Sequence, residues 1–103
     1  MTIRHIVLIK FKEDTDETAK DGFVKAYDAV NKKLDIILKY ERGIQLSKEP
    51  WDGGFTHFFQ LEFEDERTRS QFLAHDEHEK LAKLLVPIAE HIVAVHYVNQ
   101  LQR

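Results

Sequence analysis

The sequence predicts an α+β fold in which helices cover one face of an antiparallel, four-stranded sheet. Residues 3–11, IRHIVLIKF, are apolar on both alternating faces, which predicts a central strand that is covered on both sides. Residues 15–38 repeat apolar side chains every three or four positions, which predicts a long amphipathic helix. Residues 55–64, FTHFFQLEFE, alternate almost perfectly and predict a second well-defined strand.

The first predicted strand carries an imidazole on its helix-facing side. At a period of two, that side holds Ile3, His5, Val7, Ile9 and Phe11. The opposite side holds Ile6 and Leu8 between basic residues. A chain of 103 residues has enough helix to cover one side only, so we expect the other side to meet a second copy of the chain.

The next segments predict a helix, a weak strand and a loop. The acidic segment 13–17, EDTDE, is typical of a helix start, where carboxylates meet the positive end of the helix dipole, and either Thr15 or Asp14 is expected as the cap. Residues 40–47 predict a weaker strand at a sheet edge, since Gly43 interrupts it. Residues 50–54, PWDGG, predict a loop.

The second helical region begins near Asp65, and its polar segment 74–78, AHDEH, predicts a kink between two helices. Residues 79–90 continue the helix, and Pro87 is expected to tighten or end its last turn. Residues 92–98, IVAVHYV, predict the last strand. With right-handed crossovers, the order strand, helix, strand, strand, helix, strand predicts a ferredoxin-like βαββαβ fold with the strands arranged 4-1-3-2.

This topology leaves one face of the sheet without a helix. Six residues of that face form the predicted dimer surface: Ile6, Leu8, Phe58, Val93, Val95 and Tyr97. Because a monomer seldom leaves an apolar patch of this size in water, the sequence predicts a two-fold homodimer that closes face to face.

Composition limits the functional classes. We expect one domain over residues 1–103, and the formal net charge of -3 argues against a nucleic-acid partner. No apolar run reaches the roughly 18 residues of a membrane helix, and Met1 leads into a strand without an export leader, so no membrane partner is expected. The sequence has no cysteine, which excludes thiolate metal sites and favours a reducing compartment, here predicted to be the cytoplasm.

Several motifs together resemble the stress-responsive dimeric α+β barrel (Dabb) family. They are HIVLIKFK at residues 5–12, the long helix with Phe23 and Tyr27, GFTHFFQLEFED at residues 54–65, AHDEHEKL at residues 74–81 and the closing apolar strand. The resemblance covers nearly the whole chain. It implies a dimeric α+β barrel with a pocket between the sheet and the helices.

Cyclase-like members of this family close a ring on a poly-β-keto chain by proton transfer. The resemblance implies an acid/base role for His78, beside a tyrosine at the position of Phe72 and a carboxylate at the position of His96. This sequence departs from the pattern at both of the latter positions, which removes a donor for an oxyanion and an orienting group. Related barrels include haem- and quinone-type monooxygenases. In the haem-degrading type, the helix histidine would be the axial haem ligand and Trp51 a pocket aromatic.

Six histidines are the main chemical signal, because imidazole titrates near neutral pH. If the first and the last strand pair antiparallel with residue 5 opposite residue 96, His5 and His96 are neighbours and His78 reaches them from its helix. The functional interpretation makes His78 a general base in proton abstraction next to a carbonyl, with His5 or His96 as its partner and Tyr27 as a donor to the substrate oxygen. The structural interpretation is that these histidines are satisfied polar groups of the core.

The remaining candidates concern a binding pocket and a metal. The predicted substrate-binding residues are Phe23, Tyr27, His57, Phe59, Phe72 and His96, which would otherwise simply fill the core. Imidazoles among them favour a cavity, because a dry core seldom keeps several. His75 and His78 share a helix side near carboxylates, but such segments are more often solvated. We therefore predict no metal and no cofactor.

The leading prediction is a cytoplasmic homodimer that binds a small, largely apolar, carbonyl-bearing molecule, with His78 and His5 as the candidate catalytic residues. The alternative is a stress-associated binding or structural dimer whose histidines do no chemistry. An enclosed cavity of roughly 300 Å³ or more that His78 reaches would favour the first hypothesis. Side chains packed solidly around His5 and His78 would favour the second.

Overall fold

The computed structural model describes residues 1–47 and 49–101, and within them the chain forms one sheet of four strands with helices on one face. The strands are β1 (Ile3–Phe11), β2 (Lys39–Ile44), β3 (His57–Phe63) and β4 (Ala89–Val98), and the helices are α1 (Glu17–Lys33), α2 (Glu66–Ala74) and α3 (Asp76–Leu85). A short 3-10 helix, Pro50–Asp52, lies in the loop between β2 and β3. The strand order is β2-β3-β1-β4 and every pair is antiparallel, which confirms the predicted ferredoxin-like fold.

The register of β1 decides which side chains share a face. His5 lies opposite Leu61 of β3 and opposite His96 of β4, as the sequence predicted. Since side chains alternate along a strand, this pairing places both imidazoles on the side of the helices.

The core lies between that side of the sheet and the helices. The odd-numbered residues of β1 from Ile3 to Phe11 are all buried. The last three of them, from Val7 to Phe11, form one core cluster with Phe23, Tyr27 and Val30 of α1, which recur every three or four positions and so line one side of that helix. Each fully buried side chain of this kind contributes roughly 1.5–3 kcal/mol to the free energy of unfolding.

Helix α1 begins later than the predicted residue 15. The carboxylate of Asp16 accepts a hydrogen bond of 2.8 Å from the backbone N–H of Ala19, so the cap is Asp16 and the predicted caps, Thr15 and Asp14, were wrong. A carboxylate at this position also interacts favourably with the helix dipole.

Helix α1 also ends earlier than the predicted residue 38. Leu34 has an extended backbone, and the chain then turns back to the sheet, where the N–H of Leu38 donates to the carbonyl of Glu62 at 2.8 Å. Ile37 is buried against the core from this turn. The helical spacing of apolar residues therefore continues to Ile37, although the backbone there is no longer helical.

The polar segment 74–78 separates two helices, as predicted. Nδ1 of His75 accepts a hydrogen bond of 3.0 Å from the N–H of Glu77, so this imidazole caps α3. Helix α3 ends at Leu85, and the prediction that it reaches residue 90 was wrong. Ala89 instead pairs with Phe11, after a shift in register between β1 and β4. Strands β2 and β3 are also shorter than the predicted residues 40–47 and 55–64.

The face of the sheet away from the helices is open in the single chain. The register places six predicted residues there: Ile6, Leu8, Phe58, Val93, Val95 and Tyr97. Val95 and Tyr97 are 47% and 43% exposed. Among the residues that the structure describes, no helix is both long and apolar enough to cross a membrane.

Candidate functional site

A cleft of about 330 Å³ lies between the helices and strands β1 and β4. Its wall is mostly aliphatic and aromatic, and it opens to solvent beside Val86 and Ile92, which are 65% and 38% exposed. Four of its lining residues carry polar groups: His5, Tyr27, Arg69 and His78. Few polar groups on an apolar wall are typical of small-molecule sites.

The cleft brings together four of the residues that the sequence singled out: His5, Phe23, Tyr27 and His78. Helix α1 supplies Phe23 and Tyr27 on its buried side, one turn apart. His5 comes from the centre of the sheet and His78 from the first turn of α3.

The other four predicted residues do not line the cleft. Phe59 and Phe72 are buried in the core at 1% and 0% exposure. The ring of Phe72 nevertheless lies directly behind the site, with its centroid 5.1 Å from that of His78 and 6.4 Å from that of His5. Its role is therefore to support the two imidazoles from the core.

His57 and His96 also lie outside the cleft. His57 is at the other end of the sheet, where its ring packs edge-on against Phe11 at 4.8 Å and its Nδ1 lies 2.8 Å from the hydroxyl of Thr56. His96 lies on the edge strand β4, with its Nε2 3.3 Å from a carboxylate oxygen of Glu66. Both histidines therefore contact side chains outside the cleft.

His5 is almost fully buried, at 3% exposure. Nε of Arg69 donates a hydrogen bond of 3.3 Å to its Nδ1. Burial, and then the positive charge of Arg69, lower the pKa of His5 to about 4, with smaller contributions from His78 and His96. His5 is therefore a neutral imidazole at neutral pH.

His78 is half-buried and lines the cleft. Burial lowers its pKa below the ordinary value, since water no longer solvates the charged form. At neutral pH this imidazole is therefore mostly unprotonated, and one of its ring nitrogens is able to accept a proton.

Tyr27 contributes a phenol to the same wall. Its ring stacks on that of Phe59 at 4.4 Å and on that of Tyr40 at 5.6 Å, which fixes its position. Burial raises the pKa of Tyr27 well above its usual range, so the hydroxyl keeps its proton and remains a hydrogen-bond donor. The neighbouring Tyr40 hydroxyl instead donates to Asp28 at 2.7 Å.

Arg69 lines the cleft although no role was predicted for it from the sequence. Arg69 precedes Phe72 by three positions, so the two residues share one side of α2. That spacing was the available signal, because Phe72 was expected to point toward the core. A basic side chain at such a position is more often solvated, and only the packed structure shows its contact with His5.

The cleft has no cluster of metal ligands. In the part of the chain that the structure describes, no three His, Cys, Asp or Glu side chains are arranged to hold a metal ion. His75, which was considered as a ligand beside His78, instead caps helix α3.

The strand order and the cleft define a ferredoxin-like α+β protein, in which helices cover one face of the sheet and a pocket lies between the two. Residues 3–99 match the model of the Stress responsive A/B Barrel Domain, so the chain belongs to the Dabb family. The resemblance noted in the sequence motifs is thereby confirmed.

Among its relatives is olivetolic acid cyclase of Cannabis sativa, which is 24% identical over 78 residues and aligns with 76% of this chain and 77% of that protein. A hydroxynitrile lyase from Passiflora edulis has a similar structure, with a TM-score of 0.89, 23% identity and coverage of 99% of this chain and 97% of that one. A dimeric ferredoxin-like protein of unknown function from Thermobifida fusca matches with a TM-score of 0.84, 17% identity and coverage of 96% and 92%. At these identities, the structural matches show a shared fold.

Proposed function

We propose that the protein binds a small, largely apolar molecule with a carbonyl group in the cleft, and that His78 transfers a proton at the carbon next to that carbonyl. The observation that carries this proposal is the pair of neutral imidazoles, together with one neutral phenol, on an otherwise apolar wall. The volume of about 330 Å³ is within the range of roughly 300–1,000 Å³ that is typical of small-molecule sites.

The chemistry follows from which groups hold protons at neutral pH. His78 accepts the proton from the carbon, and the electron pair of the C–H bond moves into the carbonyl group to form an enolate. The negative charge then develops on the carbonyl oxygen. Tyr27 stabilises this charge, because its buried phenol keeps its proton and donates a hydrogen bond. Return of the proton from His78 to carbon or oxygen completes the cycle.

The relatives support an enzymatic role while limiting the reaction. One sequence relative is named a cyclase and one structural neighbour a lyase. The cyclase-like pattern has a phenol at the position of Phe72, where this chain has a buried ring without a hydroxyl. We therefore propose enolate formation as the step that this protein shares with such enzymes. Tyr27, and not the residue at position 72, donates a hydrogen bond to the carbonyl oxygen.

Hydrogen exchange next to a carbonyl tests His78 without knowledge of the natural substrate. The probe is β-tetralone, a flat apolar ketone, incubated with the protein in D2O while NMR follows the loss of its α protons. We expect the wild type to accelerate exchange above the buffer rate, and His78→Gln to lose roughly a hundredfold or more of that acceleration, as is typical when a general base is removed. The matched control is His75→Asn, which removes a nearby exposed imidazole and keeps a capping side chain.

Two results would contradict the catalytic part of the proposal. If the wild type does not accelerate exchange above the buffer rate, the protein binds its ligand without catalysing proton transfer. Exchange that falls equally in His75→Asn and His78→Gln would mean that His78 has no specific role.

We also propose that two copies pack through the open face of the sheet. The support is the apolar surface around Val95 and Tyr97, which the helices do not cover. The structurally similar protein from Thermobifida fusca is described as dimeric. A non-catalytic dimer remains the second candidate function, since the same open face supports it with or without turnover.

A further inference from the structure

The contact between Arg69 and His5 determines where the proton of that imidazole lies. Arg69 keeps its charge at all ordinary pH values and has only donors, so the nitrogen facing it carries no proton. That nitrogen is Nδ1 of His5, at 3.3 Å from Nε of Arg69. A neutral imidazole carries one proton, which must then be on Nε2.

Helix α2 places side chains of opposite charge beside the two neighbouring imidazoles of the sheet. Glu66 and Arg69 lie one turn apart, and His96 and His5 lie opposite each other on β4 and β1. Glu66 places a carboxylate 3.3 Å from Nε2 of His96, whereas Arg69 places a guanidinium against His5. The guanidinium opposes a second proton on His5.

His5 is thereby unsuited to act as a base. Its only unprotonated nitrogen is occupied by Arg69, and its other nitrogen already holds a proton. His5 and His78 both line the cleft, and among the residues that the structure describes no side chain hydrogen-bonds the ring of His78. The two histidines therefore have different roles, although both were predicted from the sequence to be catalytic residues.

We propose that Arg69 is a positioning residue that holds His5 as the neutral Nε2–H tautomer, so that His5 donates a hydrogen bond to the carbonyl oxygen of the bound molecule. This inference rests on the proposed function for the nature of the ligand. It divides the site into a base, His78, and two hydrogen-bond donors, Tyr27 and the unit formed by His5 with Arg69. The cleft consequently selects molecules that carry an acceptor oxygen over hydrocarbons of the same shape.

The first experiment measures the tautomer directly in the protein without ligand. NMR spectra that correlate the ring nitrogens of histidine with their carbon-bound protons distinguish the two neutral tautomers. We expect His5 to be Nε2–H in the wild type and to lose this preference in Arg69→Met, which keeps the length of the side chain and removes its donors. Arg69→Lys is expected to restore it in part, and Arg67→Met, an exposed arginine on the same helix, to leave it unchanged.

The second experiment compares β-tetralone with tetralin, which has the same bicyclic shape and no oxygen. By titration calorimetry, the wild type is expected to bind β-tetralone roughly two- to tenfold more tightly, the usual effect of one neutral hydrogen bond. Arg69→Met should reduce this preference, because Tyr27 remains as the other donor, and should retain tetralin binding, whereas Arg67→Met should retain both.

The outcomes separate this inference from the proposed function. An unchanged His5 tautomer in Arg69→Met would overturn the role of Arg69, whatever the protein binds. An unchanged preference for β-tetralone in Arg69→Met would overturn the donor role of His5 while leaving the proposed function intact. A wild type that binds neither compound would overturn the proposed function and the ligand part of this inference together.

Discussion

Protonation of His5 is expected to weaken the fold as the pH falls. The imidazole is neutral in the folded protein down to its lowered pKa of about 4, whereas in the unfolded chain it titrates near the ordinary value of 6.5. As the pH falls below 6.5, the unfolded state therefore takes up a proton that the folded state does not, which shifts the equilibrium toward unfolding. The contribution of His5 to stability is complete above pH 6.5 and is lost progressively down to about pH 4.

The size of the loss follows from these two values. At about pH 5 nearly every unfolded chain has a proton on His5 and few folded chains do, which corresponds to about 2 kcal/mol in the free energy of unfolding. His57 and His78 also have lowered pKa values and add to the loss in the same direction. The effect of His5 must therefore be isolated by a variant.

His5→Asn provides that comparison. Asparagine does not titrate, and its side-chain oxygen is able to accept the hydrogen bond from Arg69. Urea unfolding followed by circular dichroism, at about pH 8 and about pH 5 and at one protein concentration, gives the loss of stability for each protein. The wild type should lose about 2 kcal/mol more than His5→Asn between these pH values. Equal losses in the two proteins would refute the assignment of His5 as a buried neutral imidazole.

Two further variants test the core and the open face. Phe72→Ala removes a ring with 0% exposure and should lower the free energy of unfolding by about 3–5 kcal/mol. Leu84→Ala, on the exposed side of α3, should lower it by less than about 1 kcal/mol. Similar urea midpoints for the two variants would contradict the packing described. Val95→Asp places a charge on the open face and should give a folded monomer by size-exclusion chromatography with light scattering, while Thr18→Asp at the exposed start of α1 should remain dimeric. A dimeric Val95→Asp protein would show that the open face is not the interface.

Local apolar periodicity was enough to predict the strands and which side of each strand is buried, and the right-handed crossovers predicted their order. The register that pairs His5 with His96 was an assumption, which the structure confirms. An alternating strand such as residues 55–64 that shifts by one residue moves its apolar side chains to the wrong face, so its buried side is strongly specified. The same periodicity misplaced several element ends, of which two show the reason. Ile37 continues the helical spacing but packs from a turn, and Ala89 joins β4 across a shift in register.

The residues of the cleft were predicted only in part. Phe23, Tyr27, His5 and His78 line it, whereas Phe72 lies behind it in the core. Periodicity shows which side of an element is buried. It does not show whether a buried ring faces a cavity or another ring, because that depends on how closely the helices approach the sheet.

By itself, the sequence determined the α+β fold, the strand order and an open face of the sheet, because these follow from hydrophobic patterns that each segment carries locally. The tertiary structure alone decided the chemical state of the site. His5 and Arg69 are 64 positions apart, and their contact and shared burial set which ring nitrogen holds the proton. Protonation depends on charges and solvent within a few ångströms in space, and no local pattern in the chain records those neighbours.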